Sequence, residues 1–318
     1  MKKSILFLTF IISLLIISCN NNSDFIKARD SINISDLERY VRALGSDSFI
    51  GRAPFTKGED ITVNYLAEQL AEIGFEPAFG DSYFQDVPMV KISSNVLNPV
   101  RFSGTGREFK YSTPDQLAVI SPRTTTWIDI ENSDMVFAGF GIVAPEYGWN
   151  DYEGIDVRGK TVVVFINDPG LYTGDTTLFK GTEMTYYGRW TYKYEEAARQ
   201  GAAGILIIHE TGGAGYSYNV PRNSSVNPNL FPRSADGDSS KCLFTGWISA
   251  GSADELFNSL GMNVSVLRKN ACKKGFRGFP LDLKVSLNIR NEVEYSTSRN
   301  VAGILKGSKR PDESIGYS

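Results

Sequence analysis

The chain contains one histidine, His209, at the end of the apolar run Gly204–Ile208 and followed by Glu-Thr-Gly-Gly. Histidines four positions apart on a helix chelate a single zinc ion, but position 213 is glycine, so His209 has no chelating partner at that spacing. Ser249, in Trp-Ile-Ser-Ala-Gly, lacks the first glycine of a nucleophile elbow, and His209 precedes it instead of following, against the hydrolase order. No Cys-x-x-Cys occurs. Gly154-Ile-Asp-Val-Arg-Gly159-Lys160-Thr161 matches the phosphate-loop pattern letter for letter. That chemistry needs a helix whose first amides hold phosphate, whereas the β-branched run after Lys160 predicts a strand. Gly139–Ala144 mimics a dinucleotide fingerprint, yet Pro145-Glu-Tyr-Gly148 follows with no helical period, which predicts a turn. On this reading no residue is assigned as catalytic, cofactor-binding or metal-binding.

Cysteine chemistry is more informative. The N-terminus carries Lys2 and Lys3, an apolar run from Ile5 to Ile17, and Ser18-Cys19 before an Asn tract. The run is shorter than the roughly 20 residues that span a bilayer. It reads as an export signal, and a small residue directly before cysteine looks like a bacterial lipobox, with Cys19 as the lipid-attachment residue. The alternative is an ordinary signal peptide with an incidental cysteine. The expected localisation is an exported, membrane-anchored lipoprotein, periplasmic or at the cell surface. With Cys19 lipidated, Cys242 and Cys272 remain, and in an exported protein that pair is either one disulfide or two free thiols.

Composition narrows the classes further. The chain has 318 residues, 42% hydrophobic and 12% aromatic, enough for one large core or two moderate ones. Its net charge of −3 supplies no extended positive field for nucleic acid. Arg268, Lys269, Lys273, Lys274 and Arg277 form one basic cluster among Gly and Asn, expected to be a solvated loop.

The elements that frame these residues follow from periodicity. Ser35–Glu38 is a capping-box pattern ahead of Leu37, Tyr40, Val41 and Leu44, which predicts a short amphipathic helix. Thr56–Glu59 repeats the cap ahead of Val63, Leu66, Leu70 and Ile73, closed by Gly74. From about Ile128 the chain changes to short β-rich runs with Gly and Asp between them. A helix is expected from Trp190, carrying Tyr194, Ala197 and Ala198, another from a cap at Ser252, and a half-buried antiparallel strand over Leu281–Ile289.

Several long segments carry a family resemblance. Leu44–Pro77 and Tyr83–Met89 resemble the N-terminal part of the co-catalytic zinc exopeptidases related to aminopeptidase Y and glutamate carboxypeptidase. Val136–Gly170 and Gly188–Glu210 resemble the protease-associated domain inserted into bacterial members, and Ser298–Ser318 resembles the return into the peptidase fold. The resemblance implies a mixed α/β fold class, with a β-rich protease-associated domain inserted into an incomplete α/β peptidase domain. The implied boundaries are a lipoprotein signal at 1–19, a linker at 20–34, the peptidase N-terminal segment at 35–127, the protease-associated domain at 128–291 and return strands at 292–318. In the family the strand matching Ser314–Ser318 leads into the first zinc ligands, so the ligands of the two zinc ions expected in a full-length member, and the catalytic residues, would lie beyond Ser318. The expected function is the N-terminal and protease-associated portion of a zinc-dependent exopeptidase lipoprotein, inactive by itself and holding no cofactor. The alternative is a non-catalytic lipoprotein. Expected partners are peptides or proteins, through the protease-associated domain, and the membrane, through the lipid; neither nucleotide nor nucleic acid is expected.

Overall fold

The computed structural model describes residues 22–104, 106–307 and 314–317, so Cys19 and the apolar run before it lie outside the described residues. The chain divides into two compact units, one of Met1–Asp86 with Ser298–Ser318 and one of Val87–Thr297.

The first unit opens with α1 (Asn22–Ser31), α2 (Ile34–Leu44) and α3 (Lys57–Glu72), followed by β1 (Glu76–Pro77). The cap of α2 is Asn33, whose side chain accepts from the Asp36 N–H at 2.8 Å, not Ser35 as the pattern predicts. Asparagine accepts at this position as well as serine does. α3 starts where the sequence indicates: Thr56 Oγ1 accepts from Gly58 N–H at 3.2 Å, and Glu59 accepts from Phe55 N–H at 2.7 Å. Its Val63 and Ala67 are buried, beside an edge-on Phe49–Tyr65 contact with ring centroids 5.3 Å apart.

The second unit holds the large sheet. β2 (Phe84–Val96) leads into it, followed by β3 (Val100–Gly104), β4 (Arg107–Tyr111), β5 (Leu117–Ile120) and β6 (Trp127–Phe137). After the short hairpin β7 (Val143–Ala144) and β8 (Trp149–Asn150) come β9 (Thr161–Phe165), α4 (Pro169–Thr173), α5 (Trp190–Arg199) and β10 (Gly204–Ile208). Next are α6 (Thr211–Ala214), α7 (Asn219–Val226), β11 (Asn229–Pro232), β12 (Phe244–Ile248), α8 (Ala250–Ser259) and α9 (Val264–Ala271). β13 (Phe279–Val301) closes this unit and leads back to β14 (Gly303–Lys306) and β15 (Ser314–Tyr317), which pair with each other and, through β14, with β1.

Among the described residues, ten strands form one mixed sheet in the order β11-β2-β13-β6-β9-β10-β12-β5, with β3 and β4 branching from β13. β6, β9, β10 and β12 run parallel to one another, and β5 and β13 flank them antiparallel. β9 and β10 are buried along their whole length, as expected of parallel strands covered on both sides. Val163, Phe165, Leu206 and Ile208 enter the core on one face, and Val162, Val164, Ile205 and Ile207 the core on the other. The compact unit also takes in residues 87–127. The reason is pairing: β5 joins β12 and β3 joins β13, partners far along the chain.

The same two faces separate the remaining thiols. Cys242 is buried in one core and Cys272 packs against the other, and of the two readings left open by the sequence, one disulfide or two free thiols, both are free thiols here. The basic cluster is not wholly a loop either: Arg268 and Lys269 lie on α9, and Arg268 pairs with Glu210. The phosphate-loop mimic behaves as read, since Gly154 and Gly159 turn at φ 78° and 69° and β9 follows directly.

Candidate functional site: an aromatic groove on the sheet

The sheet curls so that its two ends approach. Ser121, just after β5, donates its N–H to Ser94 Oγ of β2 at 3.0 Å, and that hydroxyl donates to Asn291 Oδ1 at 2.8 Å. Asn291 is buried and donates through Nδ2 to the carbonyls of Arg123 and Thr125 at 2.9 and 3.1 Å, pinning the link between β5 and β6. Beyond this clasp the ends part, and the gap is an open groove.

Two adjoining cavities, of about 290 and 760 Å³, share Ile120, Trp190, Tyr194, Asn229 and Thr245 and form this one groove. α5 supplies one wall through Trp190, Tyr194 and Ala198, spaced four residues apart so that they stack along one helix face. Trp190 and Tyr194 meet edge-on at 5.5 Å, and Trp190 is 44% exposed. β11 supplies the opposite wall through Leu230, Phe231 and Pro232, and α7 adds Val220 and Pro221 at the narrower end. Ile120, Thr245 and Trp247 lie between.

A buried polar network fixes the inner face of α5. Gly139 and Gly141, at φ 53° and 64°, turn the chain so that the N–H groups of Phe140 and Ile142 converge on Asp151 Oδ2 at 3.1 and 3.0 Å. The turn that mimics a dinucleotide fingerprint thus binds an anion, but the anion is the protein's own carboxylate. Trp149 Nε1 donates to the other oxygen at 2.9 Å. Lys193, fully buried on α5, donates from Nζ to the Tyr187 carbonyl at 2.6 Å, with Asp151 and Asp168 as the nearby charges. Burial pulls the Lys193 amine down and pushes the Asp151 carboxyl up, each opposed by the other's charge. Tyr192 clamps α5 to β7, its hydroxyl accepting from Val143 N–H and donating to Val143 O, both at 3.1 Å.

His209 sits behind the narrower end of the groove. Its ring is 5.4 Å from Tyr218, 5.6 Å from Trp247 and 6.0 Å from Tyr216, and Nε2 has no hydrogen-bond partner. Burial lowers its pKa, favouring the neutral ring. Cys242 lines the wider end, where burial raises its thiol to about 12, so it is held as the unreactive thiol. Ser249 caps α8, accepting from Ser252 N–H at 3.3 Å. Among the described residues no three or more His, Cys, Asp or Glu side chains group as a metal site would require, and aromatic rings surround His209.

In the sequence Trp190, Tyr194 and Ala198 read only as helix positions, and neither β5 nor β11 is predicted. The signal for the groove in the sequence is Trp190 one helical turn from Tyr194.

No family model matches the sequence, and no curated protein matches it. Among solved structures, the chain is similar to an aminopeptidase from Aneurinibacillus sp. strain AM-1, with a TM-score of 0.37 and 18% identity. The match covers 83% of this chain and 47% of that enzyme, so the chain spans about half the length of that structure.

Proposed function

We propose that this chain is the peptide-recognition portion of an exopeptidase-type lipoprotein, held to the membrane through Cys19, and that its second unit is a protease-associated module that binds polypeptide rather than cleaving it. The observation that carries this reading is the groove: an open, mainly apolar channel between α5 and β11, walled by Trp190 and Tyr194 on a helix whose buried face is locked in place. Apolar channels with a few placed polar groups are the usual form of a ligand site. The segments resembling protease-associated domains, Val136–Gly170 and Gly188–Glu210, supply α5 and the strands beneath it, which supports the same assignment. In the resembled family, zinc-dependent chemistry belongs to the peptidase domain, and we assign no step of it to the described residues.

The test is a calorimetric titration of the full chain with a capped heptapeptide of alternating threonine and valine with leucine at its centre. Saturable binding is expected, abolished by Ala198→Arg, which fills the channel, and weakened by Trp190→Ala. An absence of binding at millimolar peptide, or equal binding to Ala198→Arg with an unchanged unfolding midpoint, would overturn the reading.

A further inference from the structure

The wider end of the groove is bounded by a sheet edge with main-chain groups to offer. Among the described residues, β11 ends the strand order and pairs only with β2. Arg233 N–H donates to the Pro88 carbonyl at 2.9 Å, and in an antiparallel ladder every second residue repeats that bonded arrangement. With Phe231 opposite Val90 and Asn229 opposite Ile92, these two residues face β2. The N–H and C=O of Leu230, and the C=O of Pro232, therefore point away from it, and both residues line the groove. Pro232 has no N–H, so the free edge presents one donor with acceptors beside it, the pattern of partial charges that a second main chain complements.

We propose, on the basis of the peptide-binding reading above, that the groove takes its ligand by strand addition: an extended segment of a partner polypeptide pairs with β11 through the main chain of Leu230 and lays a large apolar side chain against Trp190 and Tyr194. The rim favours neutral side chains in this segment, because its cations are already paired. Arg199 meets Glu196 at 2.8 Å, and Lys241 meets Asp238 at 2.6 Å. A second copy of the chain fits less well. Four residues of strand extend about 13 Å at roughly 3.3 Å each, a strip far short of the roughly 800 Å² per partner of a stable association. A small apolar ligand would leave the Leu230 amide unpaired against an apolar surface, at a cost.

The same heptapeptide tests this on the full chain. Leu230→Pro removes the outward donor and no bond to β2, and proline already occupies the equivalent position 232. The expected result is an affinity loss of tenfold or more with an unchanged unfolding midpoint. N-methylation of the peptide at successive residues gives a second readout independent of folding. Losses of tenfold or more at alternate positions, with less than twofold change between them, are expected. Binding that Ala198→Arg abolishes but that neither Leu230→Pro nor any N-methyl group alters would overturn strand addition and leave peptide binding standing. No binding at all would remove both. A dimer of the full chain that Leu230→Pro converts to monomer would also overturn the proposal, because the occupant would then be a second copy.

Discussion

α2 and α5 are both short helices with a clear apolar stripe, and they use it in opposite ways. α5 buries Tyr192, Lys193, Glu196 and Ala197 and keeps Trp190 and Tyr194 for the groove. α2 buries none of its residues: Leu37 is 55% exposed and Val41 70%. Periodicity alone distinguishes helix from strand, but the depth of a helix is set by what surrounds it. Around α5 the surroundings include an inward lysine and two buried aspartates, groups no hydropathy pattern would place in a core. Such groups tolerate burial only when partnered, and the partners here come from three separate turns.

That contrast breaks most sharply at Asp151. Replacing it with alanine strips the acceptor from Phe140 N–H, Ile142 N–H and Trp149 Nε1–H and leaves Lys193 with less compensating charge. Removing one partner of a buried charged network costs roughly 3–5 kcal/mol. A urea unfolding midpoint for Asp151→Ala within error of the wild type would show that the network does not hold α5.

Close approach gives a smaller but sizeable effect beneath the same helix. A Cβ on Gly204 of β10 would lie 2.1 Å from the Phe244 ring, so Gly204→Ala forces the ring or the strand to move. Overpacking of this kind costs about 1–3 kcal/mol, read in the same unfolding assay, and the added cost of Gly204→Ala should largely disappear when it is made in a Phe244→Leu background.

Acidification sharpens the comparison through His209. Its folded pKa is depressed by burial below the ordinary 6.5. Between those two values the unfolded chain binds a proton that the native chain does not, so stability is complete above about pH 6.5 and falls as pH drops through it. The expected slope is up to about 1.4 kcal/mol per pH unit. His209→Phe should flatten the change in thermal midpoint between pH 7 and pH 5, and an unchanged slope would assign it to other groups. At the lower end of the scale, Leu37→Ala and Val41→Ala on α2 should each shift stability by no more than about 0.5 kcal/mol, as exposed substitutions do.

Much of this architecture was legible in the sequence, and the gaps have physical causes. The helix at Trp190, its stop before Gly201, the strand after Lys160 and the alternation of Leu281–Ile289 follow from local periodicity and turn residues. β5 and β11 do not: each is four residues long, β11 contains Pro232, and both exist because partners far along the chain, β12 and β2, pair with them. The groove is the gap between those two short strands, so it could not be read from either one. Over β13 the apolar alternation holds, but Ser286 is buried as well, because β6 bulges opposite it and its hydroxyl accepts from Asn132 N–H at 2.9 Å. The two cysteines illustrate the same limit, because parity and export leave a disulfide and two free thiols equally open, and only the fold places the two on opposite faces of one sheet.

Hydrogen exchange on the full chain, with and without the heptapeptide, reads out peptide pairing with β11 residue by residue. Slowed exchange is expected at Leu230 and its neighbours in β11 and along α5, with α2 unchanged. Protection appearing over Ile34–Leu44 instead, or nowhere while the peptide remains bound, would contradict it.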